Sequence, residues 1–383
     1  MLNIPAPLLG KGRQMDWSEY SKSLFEKQKK AEMPFHACFE LTPLCNFKCN
    51  MCYVRLSPEQ AKAQGRLLDT QQWIDIAKQA KKMGTITLEV TGGEAITRRD
   101  FPVLYEAFAK MGFLVHLRTN GYLINDGILE LLQRYKPKKI SVTMYGASDE
   151  TYQKICGISD GFSVVTRNIR KMKEAGLNVR LTMTVTKDNV EDVEKLDEWA
   201  KKQDYSITPY GALFTPIRGA KRSIDHLKID LEGDSDISGA AEAEQHQVSD
   251  RELLMNPFWL CRGFGAVFCI SWDGRITLCN TLTQVWKEPL LNGLENAYHD
   301  LYDELKKLKR PKECASCNYI EYCAACPSFL QSATGSAEHT CDDVCRLARR
   351  KYRYFELKNK KDQEIKKEVA DIYCDDGGLY KED

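Results

Sequence analysis

No stretch of these 383 residues holds about eighteen consecutive apolar side chains, which argues against a helix that spans a bilayer. The first ten residues are largely apolar, but they are few, broken by Pro5 and Pro7, and followed by charge from Lys11, so they make a poor secretory signal. An excess of one charge is missing too. The 55 Lys and Arg against 54 Asp and Glu leave a net charge of +1, so the totals carry no footprint of nucleic acid or of a membrane surface. No tandem repeat appears. A cytoplasmic protein with neither nucleic-acid nor membrane partner is the expectation. The 43% hydrophobic content is that of an ordinary globular chain, and the length implies one large domain or two of usual size.

Cysteine, in contrast, is abundant at fifteen residues. A disulfide scaffold is a poor explanation in a long chain without an export signal. The cysteines are also grouped, three within residues 45–52 and nine within residues 261–345, and short spacings suit metal or cluster ligation better than scattered cross-links. Cys38, Cys156 and Cys374 stand apart and read as buried small hydrophobes or free thiols.

From about residue 35 to 218 short β-branched runs alternate with amphipathic segments. Strands are expected at His36–Leu41, Ile86–Val90, Val115–Thr119, Lys139–Tyr145, Asn178–Val185 and Tyr205–Tyr210. Helices are expected between them: Trp73, Ile76, Ala77 and Ala80 share a face in Gln71–Met83, as do Phe162, Val165, Ile169 and Met172 in Phe162–Ala175. Asp100, ahead of Phe101 and Pro102, reads as an N-cap, and Asn189 as another. Six βα units in succession imply a parallel α/β sheet with right-handed crossovers. A closed eight-unit barrel needs about 250 residues, so a partial (β/α)6 TIM-like barrel is expected. Residues 1–34 read as an N-terminal extension and residues 219–250 as a linker. Residues 251–348 read as a Cys-rich second domain, and residues 349–383 as a charged tail whose basic run is a solvated helix.

The chemistry concentrates in Cys45, Cys49 and Cys52. Three thiols at C-x3-C-x2-C can hold three irons of a [4Fe–4S] cluster and leave the fourth open to a small molecule. Structural zinc wants a fourth ligand, and His36, the nearest histidine, lies on the wrong side of a strand. Tyr53 follows the triplet, and Gly92, Gly93 and Glu94 end the second strand. Together these residues resemble the radical S-adenosylmethionine (SAM) enzymes. In the second field Cys261, Gly274, Cys279, Cys314, Cys317, Cys323, Cys326, Cys341 and Cys345 resemble the SPASM extension, which carries two auxiliary clusters. The resemblance covers roughly residues 35–350, with Ala95 standing where the family often has Pro after Gly-Gly-Glu.

The resemblance implies a fold, three [4Fe–4S] clusters, S-adenosylmethionine and a set of roles. The partial barrel is the family's core, with the triplet at its C-terminal mouth. Cys45, Cys49 and Cys52 would ligate the cluster whose open iron binds the methionyl group; electron transfer into the sulfonium then yields a 5′-deoxyadenosyl radical that abstracts hydrogen. Gly92 and Gly93 would let the backbone approach the methionyl amino group and Glu94 would support it, with Tyr53, Asn120 and Thr143 at cofactor-contacting positions. Cys261, Cys279 and Cys326 would hold the nearer auxiliary cluster, with Cys269 a candidate fourth ligand. Cys314, Cys317 and Cys323 would hold the farther one, completed by Cys345 with Cys341 as runner-up.

Such proteins mostly modify ribosomal peptides by thioether or carbon–carbon cross-links, so a precursor peptide is the expected substrate. A separate peptide-recognition protein and a reductant such as flavodoxin or ferredoxin are further expected partners. A small-molecule or tetrapyrrole-modifying enzyme is the alternative, and a zinc-stabilised binding module a distant third. A sulfatase maturase is disfavoured, because the Asp thought to act as base there is Asn280 here, and a carboxamide cannot take a proton at neutral pH.

Overall fold

The computed structural model describes residues 17–65, 67–217, 223–229, 250–353 and 355–356. Eight strands form one sheet: β1 (His36–Glu40), β2 (Thr87–Thr91), β3 (Leu114–Thr119), β4 (Lys139–Met144), β5 (Val179–Thr184), β6 (Ile207–Tyr210), β7 (Val267–Ile270) and β8 (Ile276–Thr277). Their order is β6-β5-β4-β3-β2-β1-β7-β8, parallel throughout except for the final β7–β8 hairpin. Strands β1 to β6 lie on the six expected segments. Sequence periodicity gives no sign of the pairing of β7 beside β1, in register from His36 opposite Val267 to Phe39 opposite Ile270. The second cysteine region therefore extends the barrel sheet.

Alternation along the strands builds two different faces. Ala37 and Phe39, Leu88 and Val90, Val115 and Leu117, and Ile140 and Val142 are buried against the surrounding helices. The helix Thr70–Lys82 opens with a capping box on Asp69 and buries Trp73, Ile76, Ala77 and Ala80, the expected face. Phe39 meets Trp73 at 5.1 Å between ring centroids and Phe108 at 5.7 Å, which locks β1 under two helices. The other face is polar. His36 Nδ1 lies 2.8 Å from Thr87 Oγ1, and Arg118 pairs with Glu89 at 2.7 Å. Burial holds both His36 and His116 neutral, with His116 pushed down to about 4.

Asp100 stands at the N-cap of the helix Phe101–Lys110 with Pro102 in the first turn, as expected, but its side chain makes no cap bond, because its carboxylate is already taken by the Arg98 fork and by Thr70 Oγ1 at 2.6 Å. The cap expected at Asn189 is corrected. Asn189 precedes a helix that starts only at Asp192; its side chain accepts from Thr186 N and donates to the carbonyls of Tyr145 and Thr184. It ties β4 to β5 at their C-terminal ends. The basic run from Arg349 continues a helix over residues 342–353 with Arg349, Arg350 and Arg353 exposed. Most of the 219–250 segment, together with Cys374 and the end of the tail, lies outside the described residues. Among the described residues no helix is long and apolar enough to cross a membrane.

Candidate active site and auxiliary thiol field

The loop after β1 carries Cys45, Cys49 and Cys52 across the C-terminal ends of the parallel strands, where such sheets place their chemistry. Its backbone is fixed from below: Lys48 N donates to Cys156 O at 2.8 Å and Asn50 N to Ile155 O at 3.0 Å, at the end of the helix Asp149–Cys156. Phe47 is sunk in an aromatic bed of Tyr122, Tyr145 and Tyr152. Two backbone amides approach thiol sulfurs, Phe47 N to Cys45 Sγ and Arg55 N to Cys52 Sγ, each at 3.3 Å. Donors of this kind favour a thiolate over a thiol. Without a metal, burial pushes the Cys45 thiol well up, and the Glu94 carboxylate adds to that. A bound cation would reverse that balance and favour the Cys45 thiolate.

Gly92 and Gly93 have a structural reason of their own. A Cβ on Gly92, which sits at φ 148°, would meet Thr42 O, and one on Gly93 would overlap Leu44 O. The strip they free is used at once: Gly93 N donates to Thr42 O at 2.6 Å and Glu94 N to Leu44 O at 2.8 Å. The close approach that glycine permits here is to the backbone of the thiol loop. Glu94 is fully buried and accepts from Ile96 N at 3.2 Å, Thr119 Oγ1 at 3.0 Å and Asn120 N at 2.8 Å. Burial nevertheless pushes its carboxyl up to about 7. Three donors leave little of a carboxylate's acceptor capacity, roughly four lone-pair sites, for a ligand. Asn120 turns toward the loop, its Nδ2 donating to Asn46 Oδ1 at 2.9 Å and lying 3.7 Å from Cys45 Sγ. Thr143 is half-buried on β4, opposite Thr182 in the register. Tyr53 looks the other way: its hydroxyl accepts from Asn280 Nδ2 at 2.7 Å, and its carbonyl from Ile217 N.

That bond leads straight to the second field, since Asn280 follows Cys279. Cys261, Cys279 and Cys326 influence one another electrostatically and form a trio; burial pushes the Cys261 and Cys326 thiols up. Cys269 has a different neighbour. The β1–β7 register sets it beside Cys38, and the Cys38 thiol is held up first by its bond to Cys269 and then by burial. Farther out, Cys314, Cys317, Cys323 and Cys345 line one cavity of about 290 Å³ together with Arg310. Cys341 does not line it and packs instead against the small apolar cluster of Cys323, Leu330 and Val344.

Do these thiols fit the inorganic groups implied by their spacing? A single zinc ion at about 2.3 Å from each sulfur would bring thiolates within roughly 4 Å of one another. Among the described residues no group of three or more Cys, His, Asp or Glu is spaced to hold one metal ion. The four-thiol cavity is larger, and backbone amides reach sulfurs in this field as well, Tyr319 N to Cys317 and Phe329 N to Cys326 at 3.4 Å each. The donor sets suit iron–sulfur cubes, which hold their thiolates farther apart than a lone ion does.

Several residues escape a reading from sequence. Cys156, which stands apart in the chain, has its sulfur 3.5 Å from Cys49 Sγ. Arg98 spans the carbonyls of Leu41 and Leu68 and so braces the thiol loop from its N-terminal side. Arg310 reaches the four-thiol cavity. Nothing in sequence spacing marks Cys156 or Arg98, whereas an arginine four residues ahead of a C-x2-C pair is a visible signal.

Residues 39–200 match the model of the Radical SAM superfamily, so the chain carries a radical SAM domain, the unit of enzymes that use S-adenosylmethionine and a [4Fe–4S] cluster. Among its relatives is the antilisterial bacteriocin subtilosin biosynthesis protein AlbA of Bacillus subtilis, 25% identical over 83% of this chain and 72% of AlbA. The AdoMet-dependent heme synthase of Methanosarcina barkeri is 26% identical over 78% of this chain and 92% of the synthase. In fold, Streptococcus suis SuiB with bound S-adenosylmethionine superposes at a TM-score of 0.62 and 18% identity, covering 87% of this chain and 84% of SuiB.

Proposed function

We propose that this enzyme modifies a ribosomally made precursor peptide, forming a thioether or carbon–carbon cross-link. The observation that carries this reading is a three-thiol loop and a second thiol trio tied together at one barrel mouth by the Tyr53–Asn280 bond. The relatives support the peptide class: AlbA is named for bacteriocin biosynthesis, and SuiB has been solved with its precursor peptide SuiA at a TM-score of 0.60 to this chain. The heme synthase is what favours the second reading, a tetrapyrrole or other small-molecule substrate.

In this proposal Cys45, Cys49 and Cys52 hold the radical-generating cluster. Cys261, Cys279 and Cys326 hold a nearer auxiliary cluster, and Cys314, Cys317, Cys323 and Cys345 a farther one, for three clusters in all. When bound, these clusters and S-adenosylmethionine supply a 5′-deoxyadenosyl radical that removes hydrogen, and an acceptor for the electron a substrate radical must lose to reach a closed-shell product. The rest of the chain positions and encloses. Gly92, Gly93 and Glu94 fix the loop edge that would border the methionyl group, and Asn120 holds Cys45 and Asn46 in place. Thr143, half-buried on β4, would be a further cofactor contact in this reading, while the Tyr53 hydroxyl faces Asn280. A flavodoxin or ferredoxin reductant, a separate peptide-recognition protein and a cytoplasmic setting complete the reading.

The test pairs the anaerobically reconstituted enzyme with a candidate precursor encoded beside its gene. Mass spectrometry should show hydrogen loss from the peptide, and Cys279→Ala should release 5′-deoxyadenosine while making no cross-link. Cross-linked product from a Cys279→Ala enzyme lacking the nearer cluster would overturn that cluster's catalytic part. A tetrapyrrole turned over in place of every peptide tried would overturn the substrate class.

A further inference from the structure

Arg310 is the most unusually placed cation among the described residues. Only 5% of its surface is exposed, yet no carboxylate pairs with it among those residues. Nη1 donates to the Leu254 carbonyl at 3.0 Å, which fixes the plane of the guanidinium. Nε and Nη2 are buried with no hydrogen-bond partner in the protein alone. The group lines the cavity that Cys314, Cys317, Cys323 and Cys345 share. Of the four, Cys314 and Cys323 lie within side-chain reach of the guanidinium.

A guanidinium stays protonated at any pH the protein survives, and burying it unpaired is costly. An arrangement that leaves two of its N–H donors facing four thiols makes physical sense only if the cavity holds net negative charge. A cluster on four thiolates supplies that charge, and the rigid fork of arginine can meet two sulfurs at once where lysine meets one. We infer that Arg310 is a positioning residue for the farther auxiliary cluster: it donates from Nε and Nη2 to the thiolates of Cys314 and Cys323 and raises that cluster's reduction potential. The inference rests on the proposed four-cysteine cluster at this site. Hydrogen bonds to cluster sulfurs and nearby positive charge both favour the reduced, more negative state. A raised potential would suit the farther cluster to accepting an electron drawn outward from the barrel mouth.

The test is an EPR-monitored redox titration of the full-length, reconstituted enzyme, with the farther cluster identified as the signal that Cys345→Ala removes. Arg310→Gln and Arg310→Met should shift the midpoint of that signal to more negative potential and leave the other signals in place. Arg310→Lys, which keeps the charge but not the fork, should fall between them and the wild type. If Arg310→Gln retains its iron and its midpoint does not move, the inference fails. Should Arg310→Gln lose the farther cluster, the Lys variant decides: iron retained with lysine supports a charge requirement, while equal loss in all three variants, with loss of folded protein by circular dichroism, reduces Arg310 to a packing role and overturns it. Reconstituted wild type that shows zinc or no metal at these four cysteines would instead overturn the cluster reading itself.

Discussion

In the proposed reading, the two thiol fields would hold an inorganic group in opposite ways. In the first, three cysteines sit within an eight-residue loop, and the groups that come near their sulfurs include backbone amides, Asn46, Asn120, Tyr145 and the Cys156 thiol. In the outer part of the second, four cysteines drawn from a span of thirty-two residues surround a cavity with a buried guanidinium on its wall. Three ligands leave one metal position open for chemistry, whereas four close the site and leave electron transfer and cross-linking as its uses. The trio of Cys261, Cys279 and Cys326 lies between these plans, three thiols near one another with Cys269 turned aside to Cys38.

The largest effect that contrast predicts is at Cys49. Cys49→Ala should abolish release of 5′-deoxyadenosine from S-adenosylmethionine while the protein keeps its auxiliary iron. Product chromatography and iron analysis on the same sample check both halves. Cofactor cleavage that survives the substitution would mean that the open-position site lies elsewhere, and the contrast between the fields would collapse.

The next effect separates two neighbours in sequence. Cys345 lines the four-thiol cavity and Cys341 does not, although both are half-buried and one helical turn apart. Cys345→Ala should therefore empty the farther site of iron and lower the melting temperature, because a cluster also cross-links the segments that bind it. Cys341→Ala should keep full iron and cost about 1 kcal/mol, as a modest packing loss ordinarily does. Iron quantification after anaerobic reconstitution distinguishes them, and the reverse result would exchange their roles.

Much of this was legible in the chain. The six parallel strands can be read because β-branched runs alternate with amphipathic helices, and a side chain's period reports its element. The first thiol loop can be read because its ligands are close in sequence. What cannot be read is what depends on register between distant segments. Cys269 reads as a candidate ligand, but the pairing of β7 with β1 sets it beside Cys38. Asn189 has the composition of a cap, yet the carbonyls at the ends of β4 and β5 compete for its amide and win. The resemblance has Gly92 and Gly93 make room for a ligand, and tertiary contact shows that they also make room for the carbonyls of Thr42 and Leu44. Arg310 is four residues from Cys314 in sequence, but its burial beside the cavity is a property of the fold.

The smallest effect tests whether the two fields work as one. Tyr53 follows the last cysteine of the first loop and Asn280 follows Cys279, so their 2.7 Å bond joins the open site to the trio by one side-chain contact. Tyr53→Phe removes the acceptor and keeps the ring, which lies 6.2 Å from Phe214, so packing should persist. A hydrogen bond of this kind contributes about 0.5–1.5 kcal/mol, which bounds the change in alignment at roughly tenfold in rate. Release of 5′-deoxyadenosine should continue at close to the wild-type rate, because the three thiols are untouched. The yield of modified substrate per cofactor consumed should fall severalfold, as radicals formed at the first site find the substrate less well placed against the second. Asn280→Asp gives the control, since a carboxylate can accept from the Tyr53 hydroxyl and restore the link with its polarity reversed. Measured coupling that is unchanged in Tyr53→Phe would show that the two fields are aligned by the shared β1–β7 sheet alone.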